Sequence, residues 1–320
     1  MPAGQSFDSD TALRACRLFF LEDRTKQEIA EELGISRFKV ARLIADARAR
    51  GLVRIDIAEP DGHDPDLSAR LERAMGLMDC LVTPSDADDP LAVVGPAAAR
   101  LLAQRLRPGD AMGLGWGRSV LRVVQALDPA RLPRPVDVVQ LAGGVAGLDF
   151  SLNPIGLAAL AAERLAARLY SLHAPAFVET DAARRVLLSE GSVAETLAMF
   201  DRVAVAVVGV GSWRGSVDSS LHSSHALPSR LLEQLQAQEV CGDAFCHFFD
   251  SSGRVLSPTA GLAMAPTLSQ VRAIPLRIGV AAGTAKAEAI AAAVRSGLIN
   301  ALVTDTATAG ALLRISETLL

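Results

Sequence analysis

Three glycine-rich turns hold the residues best suited to binding chemistry in this 320-residue chain: "GLGWGRS" (113–119), "GVGS" (209–212) and "AAGTAK" (281–286). Glycine lets backbone amides approach an anion closely, and a helix that starts at such a turn adds its dipole. Arg118 and Ser119, at the start of a predicted helix over 118–127, can complete a phosphate cradle. Lys286 can supply a balancing charge. The chain has 32 basic residues but only three lysines, and Lys286 is the one after residue 39. An ammonium is a compact charge on a flexible stem, where a guanidinium is a planar fork. The same glycines also serve as plain strand-to-helix turns, and both readings stand at this point. Neither the dinucleotide pattern G-x-G-x-x-G nor the phosphate-loop ending GK[ST] is present.

Asp243, Asp250 and Glu190 are carboxylates that can bind sugar hydroxyls. At Asp250, "DSSG" is also ordinary turn chemistry. General acid–base catalysis needs a positioned proton carrier at the reacting atom, and no paired carboxylates supply one. No catalytic residue and no cofactor is expected. The four cysteines, at 16, 80, 241 and 246, lack disulfide or zinc spacing. Cys241 and Cys246 with His247, and His222 with His225, read as ordinary packing or loop residues, so no metal is expected.

The elements that must position these turns follow from periodicity. Apolar strand-like runs ("DCLVTP", "DAMGLGWG", "VDVVQLAGG", "RVAVAVVGVGS", "LRIGVAAGT", "NALVTD") alternate with helical ones ("RSVLRVVQAL", "PIGLAALAAERLAARLY", "AKAEAIAAAVRSG", "TATAGALLRI"). That alternation predicts an α/β fold with a parallel doubly wound sheet. In such sheets ligands bind beyond the carboxyl ends of the strands, where all three turns fall. The polar segment 212–225 reads as a loop over a site.

The first 58 residues differ in character. Thr25 and Glu28 form a capping-box pattern. Apolar positions Ile29, Ala30 and Leu33 have helical spacing. Gly34 ends that helix, and Ser36 caps a second whose apolar face is Val40, Leu43, Ile44 and Ala47. "VRIDI" after Gly51 alternates like a short strand, and "TALRACRLFFLE" (11–22) supplies a helix to pack on. Two helices joined by a Gly-containing turn form a helix-turn-helix. Residues 36–54 hold Arg37, Lys39, Arg42, Arg48, Arg50 and Arg54 against Asp46 alone. Residues 22–35 hold five acids and two bases, in a chain of net charge −4. A basic second helix after an acidic first is the polarity of a recognition helix in the major groove of operator DNA. The DNA-facing set is Thr25, Gln27, Ser36, Arg37, Lys39, Val40 and Arg42. Arg37, Lys39 and Arg42 would meet base edges, with Ser36 on phosphate or acting as a cap. A single such motif buries little DNA, so a dimer is expected.

At 320 residues, half of them apolar, the chain can bury a large core in two domains. No apolar run reaches the ~18 residues of a membrane span. The start, "MPAGQSFDSD", lacks a charged-then-apolar leader. A cytoplasmic protein without a membrane partner is expected. The polar stretch 59–66 is the expected linker, between a DNA-binding domain over 1–58 and a ligand-binding domain over 67–320 that opens with a helix over 67–77.

These motifs, in this order and across nearly the whole chain, resemble the SorC family of bacterial sugar-responsive transcriptional regulators. The resemblance rests on "EIAEELGISRFKVARLIADARARGLVRIDI", "GDAMGLGWGRSV", "VVQLAGG", "VVGVGS", "GDAFCHFFDSSGRV" and "VAAGTAKAEAIAAAVRSGLINALVTDTATA". It implies a winged helix-turn-helix joined to a Rossmann-like effector domain, similar to sugar-phosphate isomerases, and a homodimer or homotetramer. It implies a sugar phosphate, sugar or polyol as effector. The phosphate or its equivalent would lie on Gly115, Gly117, Arg118, Ser119 and Lys286, with Gly209, Gly211 and Asp243 facing the sugar. Ser119 replaces the family's usual Thr, Phe19–Phe20 replaces a Tyr-containing pair, and "AAGT" replaces the commoner "AGG". The retained cradle and single late Lys favour a phosphorylated effector. An isomerase-like or deaminase-like enzyme with an appended DNA-binding domain is the competing function.

Overall fold

Thr25 caps the helix Lys26–Leu33 as its type and spacing predict. Its hydroxyl accepts from the Glu28 amide at 3.3 Å, and the Glu28 carboxylate accepts from the Thr25 amide at 2.8 Å. The computed structural model describes residues 9–50, 52–53, 62–85, 89–214, 219–223, 227–258 and 261–318. The chain divides into two compact units, Met1–Asp61 and Gly62–Leu320.

In the first unit, α1 (Ser9–Phe20), α2 (Lys26–Leu33) and α3 (Arg37–Ala49) pack together. Gly34, at φ 62°, takes the left-handed conformation that glycine adopts without a Cβ clash and closes α2. Ser36 then caps α3, its Oγ accepting from the Lys39 amide at 3.2 Å. Ile29, Ala15, Val40, Ile44 and Ala47 close the core, and Ile29 and Val40 are wholly buried. Full burial of such a side chain contributes ~1.5–3 kcal/mol. Past Val53, the strand expected in "VRIDI" lies outside the described residues, as do residues 59–61 of the expected linker, whose last two residues, Pro65 and Asp66, instead open the helix Pro65–Met75.

The described residues of the second unit form ten strands: β1 (Asp79–Thr83), β2 (Ala111–Leu114), β3 (Asp137–Gln140), β4 (Arg168–Tyr170), β5 (Val203–Gly209), β6 (Gly211–Ser212), β7 (Gly242–Ala244), β8 (His247–Phe249), β9 (Leu276–Val280) and β10 (Ala301–Asp305). Seven form one sheet in the order β1-β10-β9-β5-β2-β3-β4, every neighbouring pair parallel. Alternate residues of each strand face opposite sides. Val205 and Val207 of β5, with Met112, Leu114 and Val303, join the core under helices Pro90–Arg105, Arg118–Ala126 and Pro154–Leu165. Ala206 and Val208, with Ala111 and Leu302, join the opposite core, under helices Pro65–Met75, Ala287–Arg295 and Thr306–Thr318. A sheet buried on both faces explains why its strands read as unbroken apolar runs. No described helix is long and apolar enough to cross a membrane.

Two elements depart from expectation. The helix expected to run through Tyr170 ends at Leu165, because Ala166 turns left-handed at φ 48°. "RLY" then pairs with β3 as the edge strand β4. A second, antiparallel sheet, β6-β7-β8, was not foreseen. Its β7–β8 turn places Phe245 and Cys246 at φ 54° and 62°, both fully buried. Such a two-residue turn normally takes Asn-Gly, so the sequence gives no hairpin signal there.

Candidate functional site

Strand order reverses between β2 and β5. The chain runs outward from β2 through β3 to β4, then returns to β5 on the other side of β2 and continues to β9 and β10. Carboxyl ends that diverge at such a point leave a crevice between their loops. One pocket opens there, and its walls come from the turns after β2, β5 and β9 and from the β7–β8 hairpin.

The turn after β2 brings Trp116, Gly117, Arg118 and Ser119 into the wall. Gly117 sits at φ 93°, a conformation open to glycine, and anchors the turn by donating its amide to the Leu152 carbonyl at 3.0 Å. Helix Arg118–Ala126 starts here, and its first turn points its amides toward the crevice end of the strand. Ser119 is buried and Arg118 exposed. The turn after β5 contributes Gly209, Val210 and Gly211. A Cβ on Gly211 would lie 2.2 Å from Asp243 Oδ1, so the backbone approaches the carboxylate more closely than any side chain permits.

The turn after β9 contributes Lys286, whose Nζ donates to the Val210 carbonyl at 3.0 Å. That turn is tied to β10. The Gly283 amide donates to Asp305 Oδ2 at 3.1 Å and to Thr308 Oγ1 at 2.8 Å, with Asp305 itself buried. Asp243 completes the wall. Its Oδ1 accepts from Trp213 Nε1 and from Ser219 Oγ, each at 2.6 Å. It is the only carboxylate among the described lining residues.

Seven of the eight predicted effector residues therefore line one pocket: Gly117, Arg118, Ser119, Gly209, Gly211, Asp243 and Lys286. Gly115 lies outside that lining. Its amide donates to Val207 at 2.8 Å, and a Cβ there would lie 3.1 Å from Val208 Cγ2. Its place is the β2–β5 seam rather than the wall. Trp213, Ser219, Phe245 and Asp305 were not anticipated. Both tryptophans of the chain stand at this site, Trp116 in the wall and Trp213 behind Asp243, so their scarcity was a usable signal.

Asp250 and Glu190 are absent from the lining. Asp250 organises its own turn. Partial burial raises its carboxyl, but hydrogen bonds from Ser252 and Arg254 outweigh this and hold it at about 2. Cys241 and Cys246 are buried, and burial pushes the Cys241 thiol up to about 11 and Cys246 higher still. The described residues contain no group of three metal-ligating side chains, and His225 lies outside them.

In the first unit, Arg37, Lys39 and Arg42 are exposed on α3. Val40 is a correction: it is wholly buried in the three-helix core and cannot face DNA. Thr25 spends its hydroxyl on the capping box, donating to Glu28 Oε2 at 2.9 Å. Gln27 donates to Glu31 within α2 at 2.9 Å. Ser36 accepts the Lys39 amide and keeps its hydroxyl proton to donate.

Residues 60–314 match the family model described as "Putative sugar-binding domain". The sorbitol operon regulator of Klebsiella pneumoniae is 29% identical over 314 residues, covering 97% of this chain and 99% of that protein. The transcriptional regulator LsrR of Escherichia coli K12 is 30% identical over 314 residues, covering 96% of this chain and 95% of LsrR. The crystal structure of the full-length Klebsiella regulator, SorC, superposes with a TM-score of 0.79 at 28% identity, over 97% of this chain and all of that one. These relatives are named as transcriptional regulators, and they align with this chain over nearly its whole length. The chain belongs to the SorC family of transcriptional regulators with a sugar-binding domain.

Proposed function

We propose that α3 binds operator DNA and that the switch-point pocket binds the effector that gates it, a small phosphorylated carbohydrate. The relatives' sorbitol operon and the sugar-binding match support carbohydrate as the ligand class. The observation that carries the phosphate is the meeting of Lys286 with the 117–119 turn, from different strand–helix units, at one crevice. One ammonium, a hydroxyl and oriented amides match a phosphate dianion. Asp243 faces the sugar from the pocket wall. Gating follows if the ligand binds one of two protein states more tightly, since a ligand shifts an equilibrium only by that difference.

On DNA, Arg37, Lys39 and Arg42 reach base edges from the first turns of α3, and Ser36 donates to phosphate. Thr25 and Gln27 face the backbone at the start of α2. Residues 1–58 form the DNA-binding domain and residues 67–320 the effector domain. Two copies bind a two-fold site, and the protein works in the cytoplasm, where the DNA is. Selection of duplexes from random DNA by the full-length chain tests this reading. A two-fold sequence should emerge, and Arg37→Ala and Arg42→Ala should each weaken binding by ~1–3 kcal/mol. Recovery of no sequence, or undiminished binding by both variants at physiological salt, would sink it.

A further inference from the structure

Phe38 is 86% exposed, the most exposed large apolar side chain among those described. It is the second residue of α3, between Arg37 and Lys39. A helix advances about 100° per residue. On that wheel Val40, Leu43, Ile44 and Ala47 cluster on the side turned into the three-helix core, where all four are buried. Phe38 falls on the opposite side. Arg42, one turn further on, and Ala45 share its outward face, and both are exposed. Arg37 and Lys39 flank the ring to either side. The three-helix core does not use this ring, yet the sequence sets it between Arg37, Lys39 and Arg42.

That combination selects a partner. Cations on both sides suit a polyanion. The ring suits an apolar group displayed within the polyanion's groove. In the major groove each base edge presents donors and acceptors, and the thymine C5 methyl is the apolar group among them. The first turn of a recognition helix is the part that meets base edges. We propose that Phe38 reads thymine through its C5 methyl, one ring per half-site, with Arg37 and Lys39 holding the flanking phosphates or bases. This rests on the reading that α3 enters the major groove.

The test uses the full-length chain and a duplex it selects from random DNA. Each thymine is replaced in turn by uracil, which lacks only the methyl. One position per half-site should lose about three- to fivefold in affinity, the effect of one buried methyl. Phe38→Ala should weaken binding to the unmodified duplex and should no longer distinguish uracil from thymine at that position. Because the ring is exposed, Phe38→Ala should melt like the parent. The proposal falls if every uracil duplex binds the parent like the thymine duplex, or if Phe38→Ala keeps the parent's preference. It also falls if Phe38→Ala changes the sedimentation coefficient, which would assign the ring to a contact between copies. If Arg37→Ala and Arg42→Ala still weaken binding in those cases, the groove reading survives and only the thymine contact is lost. If no duplex is selected, both fall.

Discussion

Lys286 Nζ donates a 3.0 Å hydrogen bond to the Val210 carbonyl, joining the turn after β9 to the turn after β5. The bond places an ammonium against the pocket wall beside Gly209 and Gly211. An ammonium has three donors, and Val210 takes one of them.

Removing that ammonium should abolish recognition of a phosphorylated ligand. A ligand at a hundredfold above its Kd stabilises the folded state by about 2.7 kcal/mol. For a domain of this size that raises the melting temperature by roughly 5–10 °C. Pooled pentose and hexose phosphates should produce such a rise in the parent and none in Lys286→Ala. Lys286→Arg should not restore it, because a planar fork does not replace a point charge. An equal rise in Lys286→Ala would remove Lys286 from the site.

Gly211→Ala drives a Cβ to 2.2 Å from Asp243 Oδ1. The expected cost is ~1–3 kcal/mol in urea unfolding, with loss of ligand stabilisation. Gly191 has open space around it, so Gly191→Ala should be neutral or slightly stabilising. Equal midpoints for the two variants would contradict the close approach.

Asp243→Ala leaves the Trp213 indole N–H and the Ser219 hydroxyl without this acceptor inside a buried wall. Each unsatisfied donor costs ~1–3 kcal/mol. Asp243→Asn, which keeps an acceptor oxygen, should lose less. If both variants unfold at the parent's urea concentration, Asp243 does not hold Trp213 and Ser219 in place.

Much of this arrangement was legible in the sequence because the signals are local. Thr25, Gly34 and Ser36 fix helix ends through their own backbone geometry. Unbroken apolar runs mark strands buried on both faces. Glycine turns after strands point to the carboxyl edge, where the pocket lies. What stayed hidden is set by distant partners. Val40 resembles its neighbours on a basic helix until α1 and α2 cover it. Gly115 looks like Gly117, yet Gly115 spends its amide on Val207 of β5 while Gly117 takes φ 93° at the start of the helix. The Phe245–Cys246 turn has no turn residues at all. Its left-handed backbone persists because both side chains are buried in the two cores.

Burial holds His247 below its ordinary value of 6.5, with the Pro266 carbonyl, 2.9 Å from its Nε2, partly opposing this and Arg272 reinforcing it. A depressed histidine is neutral in the fold while the unfolded chain still takes up a proton. Its contribution is therefore present above 6.5 and is lost as the pH falls below that value. Melting temperature should drop between pH 7.5 and 5.5, and His247→Gln should make that slope shallower. An unchanged slope would show that His247 titrates alike in both states.

The most direct measurement of the central claim is fluorescence anisotropy of the selected duplex bound to the full-length chain. Sugars or polyols and their own phosphate esters are titrated in matched pairs. A phosphate ester should shift DNA affinity by roughly 5- to 150-fold, the usual range of coupling between two sites, in either direction. Its neutral partner should do less, and Lys286→Ala should bind the duplex normally but ignore both. A neutral sugar that shifts affinity as far as its phosphate, or a Lys286→Ala chain that responds like the parent, would contradict a phosphate-gated regulator.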